Sequence, residues 1–90
     1  SSVSDKVVLE GTRALVLAEY AYNTVATAGL AATQAGLIRG ETATRVRELN
    51  RAATNALIKG KAAQSSAEKA VAATTVFGVI DQLRKLIPGT

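Results

Sequence analysis

Three interleaved rows of small or apolar residues, each stepping by seven, run through the first 35 positions and constrain this chain more than any other feature. One row reads Val8, Leu15, Tyr22, Gly29; a second reads Gly11, Ala18, Val25, Ala32; a third reads Val7, Ala14, Ala21, Ala28, Ala35. Seven residues are close to two turns of α-helix, so the rows merge into one stripe along a single long helix. Glu10, Thr12, Arg13, Glu19, Thr24, Thr27 and Gln34 fall on the opposite face. Ser4 suits the N-cap, and Asp5 suits the positive end of the helix dipole. Gly36 suits the left-handed residue after the last turn, with Leu37 expected to make the apolar contact of a Schellman ending. The first helix is therefore expected over residues 5–35, about 45 Å long at about 1.5 Å per residue.

Gly36 and Gly40 bracket Leu37-Ile38-Arg39, a spacing that suits a tight reversal. Glu41 then opens a second helix, with Val46, Leu49, Ala53, Ala56, Leu57 and Gly60 as its inward stripe. Arg47, Arg51, Thr54 and Asn55 point away from that stripe. Ser65 followed by Glu68 has capping-box spacing, and Gly60 weakens the helix just upstream. A third helix then carries Ala72, Val76, Val79, Ile80, Leu83, Leu86 and Ile87 inward and stops at Pro88-Gly89. No segment alternates with a period of two. The expectation is all-α: residues 1–90 as a single domain, an antiparallel three-helix bundle with a long first helix. The alternative is an extended two-helix hairpin in which 41–87 is one helix.

Rows of Ala and Gly let helix backbones approach more closely than the usual spacing of about 8–10 Å. Leu15, Tyr22, Leu49, Leu57, Val76, Phe77 and Leu83 are expected to supply the bulk of the core. A chain of this size buries only about 60–65% of its unfolded surface, and apolar area is left over. Ala14 to Ala18 is apolar all round its turn, Leu9, Val16 and Leu30 flank the main stripe, and Tyr20 points outward. Leu9, Val16, Leu17, Tyr20 and Leu30 are therefore the candidate interaction residues, and a homo-oligomer or a protein partner is expected to cover them.

Chemistry is scarce. The chain has no His and no Cys, which removes the common zinc, haem and iron–sulfur ligands, thiol nucleophiles and imidazole acid–base catalysis. The glycines are scattered singly, so no phosphate-cradling loop is formed. Glu10 with Arg13 and Glu48 with Arg51 read as surface ion pairs, and Glu19 is a lone carboxylate among apolar neighbours. The expectation is no enzyme and no cofactor. Arg39, Arg45, Arg47, Arg51, Lys59 and Lys61 against Glu41 and Glu48 place a charge of +4 in residues 39–61, which equals the net charge of the whole chain. Arg45, Arg47, Arg51 and Lys59 are the candidate anion-binding residues. Nucleic acid is possible but not favoured, because no aromatic side chain lies among them to stack on bases. Tyr20 to Ile38 carries no charge, but Asn23, Thr24, Thr27, Thr33 and Gln34 recur too often for good insertion into lipid. The opening Ser1-Ser2-Val3-Ser4-Asp5 does not read as an export signal. Cytoplasm, virion and periplasm all stay open as locations.

Arg13-Ala14-Leu15, Ala18-Glu19-Tyr20-Ala21-Tyr22-Asn23, Ala35-Gly36-Leu37-Ile38-Arg39-Gly40 and Arg45-Val46-Arg47-Glu48-Leu49-Asn50 together resemble small uncharacterised helical proteins of alphaproteobacteria and their prophages. The likeness covers roughly residues 10–60 and lies in helix-packing and turn residues. It implies a phage- or envelope-associated accessory protein and carries no functional residue with it. The reading of the sequence is a non-enzymatic structural or interaction module working through small-residue apolar helix faces. The alternative is a basic helical binder of nucleic acid or an anionic membrane surface.

Overall fold

A computed structural model describes residues 2–90, with side chains from Glu10 onward. The side chains of Ser4, Asp5 and Leu9 lie outside the described residues. Three helices run up, down and up: α1 (Ser2–Gln34), α2 (Gly40–Ala62) and α3 (Ser66–Leu86). No strand occurs among the described residues. The molecule extends 53 × 19 × 16 Å. Its long dimension matches α1, whose 33 residues span about 50 Å at about 1.5 Å each.

Gly36 stops α1 as a left-handed residue, φ 76°. Its N–H donates to the Thr33 carbonyl at 3.0 Å, and the Leu37 N–H donates to the Ala32 carbonyl at 2.9 Å. That pair of bonds is the Schellman motif, and it satisfies two carbonyls the helix end would otherwise leave open. The apolar plug is not the expected one. Leu37 is 64% exposed, whereas Ile38 is 3% exposed and belongs to the core. The left-handed turn swings Leu37 outward and brings the next side chain back over the bundle end.

The break between α2 and α3 is real, which excludes the two-helix hairpin. Ala63 adopts an extended conformation, φ −66° and ψ 141°. Ser65 caps α3, its hydroxyl oxygen accepting the Glu68 N–H at 3.1 Å. Across the link, the Lys69 ammonium donates to the Gly60 carbonyl at 3.0 Å.

α3 is the element on which both other helices pack; α1 and α2 touch each other far less. Glycine sets the closest approaches. Gly11 lies against Ser66, its N–H donating to the Ser66 hydroxyl oxygen at 3.2 Å. A Cβ on Gly11 would stand within 2.9 Å of the Ser66 Cα. A Cβ on Gly60 would stand 2.8 Å from both Leu15 Cδ1 and Ala72 Cβ, so all three helices meet there. Gly11 beside Ser66 and Gly29 beside Ile87 set α1 parallel to α3, with α2 antiparallel to both. Ile80, Leu83 and Val76 of α3 are the largest fully buried side chains. Phe77, expected in the core, is 41% exposed. It follows Val76 by one residue, about 100° round the helix, and falls outside the buried face.

Candidate interaction surfaces

Polar ties hold the weakly packed seam between α1 and α2. The Tyr22 hydroxyl donates to Asn50 Oδ1 at 3.0 Å. The neighbouring Asn23 is exposed. Lys61 forms an ion pair with Glu19, so this carboxylate is a structural partner and not an isolated acid. These ties run from α2 to the inner flank of α1.

The basic middle third is divided by the fold. The Arg45 guanidinium reaches Gln82 Oε1 of α3 at 2.9 Å and Glu48 Oε2 at 3.4 Å. Lys59 lines a groove between α2 and α3. Arg47 donates to Thr44 Oγ1 at 3.1 Å and lines a separate groove between α1 and α2. Arg51, one turn beyond Arg47, is exposed. The four candidate anion-binding residues thus divide between flanks of α2 and do not converge on one point.

On α1, Val16, Leu17, Tyr20 and Leu30 are all exposed, Tyr20 at 75%. Val16 and Tyr20 are one turn apart, and Leu30 returns to nearly the same side after two further heptads. Leu17 is turned about 100° from Val16. Leu9 precedes Val16 by seven residues and continues the row by sequence, its side chain lying outside the described residues.

A second surface escaped the sequence reading. Ala52, Asn55, Ala56 and Lys59 of α2, Ala63 of the link, and Ala67, Glu68, Val71, Ala72 and Thr75 of α3 line an open groove of about 550 Å³. Half of these residues are Ala, so the two helices meet with too little side-chain bulk to fill the seam from outside. Val71 projects at its edge, 67% exposed. The signal was present as spacing: Ala52, Ala56 and Lys59 on α2, and Ala67, Val71 and Thr75 on α3, recur at helical intervals. It was obscured because the bulkier main stripes account for the core without them. The groove between α1 and α2 is smaller, about 220 Å³, with Gly29, Thr33, Val46 and Asn50 among its walls.

Among the described residues no helix is long and apolar enough to cross a membrane. No protein-family model, no curated protein and no solved structure matches the chain with significance.

Proposed function

We propose that this protein is a non-enzymatic helical module that assembles with itself or with a protein partner through its small-residue apolar faces. The observation that supports the reading is the placement of its large exposed apolar side chains. The core closes around α3, yet Val16, Tyr20 and Leu30 remain outside on α1, and Val71 remains outside beside an alanine-floored groove. Apolar area gathered on a helix face is what partner surfaces present. A phage or envelope setting is drawn from the resemblance of residues 10–60 alone.

The separation of Arg45 and Lys59 from Arg47 and Arg51 gives no continuous track for a phosphate backbone, and so the electrostatic alternative has no comparable support. The test is molar mass by light scattering from low to high micromolar concentration. The mass is expected to rise with concentration in the wild-type chain and in the Arg47→Glu/Arg51→Glu variant alike. A mass fixed at that of the monomer throughout overturns assembly of the chain with itself.

A further inference from the structure

We infer that the groove between α2 and α3 receives the same groove of a second copy, giving a two-fold dimer whose centre is an antiparallel four-helix bundle. The inference rests on the assembly reading above and names its partner and its surface.

The first support is charge. Lys59 and Glu68 line the groove from opposite helices. Among the described residues neither side chain has an ion-pair partner; the pairs that form there are Arg45–Glu48 and Lys61–Glu19. Two contacts fix the register between α2 and α3: Arg45 to Gln82 at one end and Lys69 to Gly60 at the other. These contacts, with Gly60 against Ala72, place Glu68 from level with Lys59 to about five residues away along the bundle, up to about 7 Å at about 1.5 Å per residue and within reach of a lysine side chain. A two-fold axis parallel to the bundle preserves height and exchanges the helices, laying α2 of one copy over α3 of the other. Lys59 then faces Glu68 of the second copy, and Glu68 faces its Lys59. The groove is its own electrostatic complement, as an isologous interface must be.

The second support is shape and direction. The same operation brings Val71 and Thr75 of one copy over the face of α2 that carries Ala52, Ala56 and Lys59 in the other. Each helix also finds an antiparallel neighbour across the interface as well as within its own copy, the arrangement of up-and-down four-helix bundles. A floor of alanines allows the close backbone approach this needs. The ten lining residues are fewer than the roughly 20–30 per side of standard interfaces, so the groove is a small interface.

Sedimentation equilibrium on the full chain tests this. Lys59→Glu alone and Glu68→Lys alone each set like charges face to face twice per dimer and are expected to raise the dissociation constant about tenfold or more. The Lys59→Glu/Glu68→Lys double variant exchanges the signs and is expected to restore wild-type affinity. Higher salt is expected to weaken the wild-type dimer and strengthen either single reversal. Val71→Glu, at an exposed position, is expected to leave the helical melt unchanged and abolish the dimer. A wild-type chain that associates, with all four variants associating equally well, overturns this interface and leaves assembly to the α1 face. A wild-type chain that stays monomeric to high micromolar concentration overturns this interface together with assembly of the chain with itself.

Discussion

Glycine plays opposite parts at Gly11 and Gly78, although both lie inside helices. Helix propensity favours alanine over glycine by about 1 kcal/mol at either place. At Gly78 nothing lies within 4 Å of where a Cβ would stand, so Gly78→Ala is expected to stabilise the protein by about 0.5–1 kcal/mol. At Gly11 the same atom would press on the Ser66 backbone, which a rotamer change cannot relieve. Gly11→Ala is expected to destabilise by about 1–3 kcal/mol as α1 is levered from the start of α3. Urea midpoints for the two variants check the contrast; a shift in the same direction for both would show that propensity, and not close approach, governs Gly11.

The ends of the helices hold the chain to three elements. The two orders of packing open at the α2–α3 link, a continuous rod or a folded-back third helix, differ by a few residues of local structure. Ser65 biases the choice by satisfying the Glu68 N–H. Ser65→Ala removes that acceptor and is expected to cost about 1 kcal/mol, read as a lower melting temperature with the helical circular dichroism of the folded state retained. Loss of helicity in proportion to a 21-residue helix would instead show that the cap is required for α3 to form at all. At the other reversal the Schellman bonds do the stopping, and the chain direction they impose decides that Ile38 and not Leu37 is buried.

At the scale of the molecule, α3 is the shared support. α1 and α2 meet through ties that include Tyr22–Asn50, Glu19–Lys61 and the Leu15–Gly60 contact, while the largest fully buried side chains all come from α3. A fragment of residues 1–62 keeps the buried residues of α1 and α2 but loses the helix against which they pack. It is expected to show no cooperative thermal transition by circular dichroism, whereas the full chain melts in one step. A sharp transition in the fragment would mean that α1 and α2 form a stable hairpin by themselves. The elongated, thin shape also leaves much of each helix at the surface, which is why apolar residues remain outside on two sides.

Residue spacing by itself determined that the chain is helical, where the first reversal falls and which face of each helix turns inward, and it favoured a second reversal at Ser65 while leaving a continuous helix over 41–87 open. These follow from the 3.6-residue period, from the conformations open to Gly36, and from a capping serine, all of which act within a few residues. The exposure of Val16, Leu17, Tyr20 and Leu30 was legible for the same reason, since a helix stripe also fixes which residues lie outside it. Only the tertiary structure decided that α3 is central, that Tyr22 answers Asn50, that the basic residues divide between flanks of α2, and that an alanine-floored groove runs beside Val71. Those outcomes depend on how the helices are rotated and staggered against one another. That placement is set by close contacts such as Gly11 on Ser66 and Gly60 on Leu15, between residues 55 and 45 positions apart, and local periodicity carries no information about it.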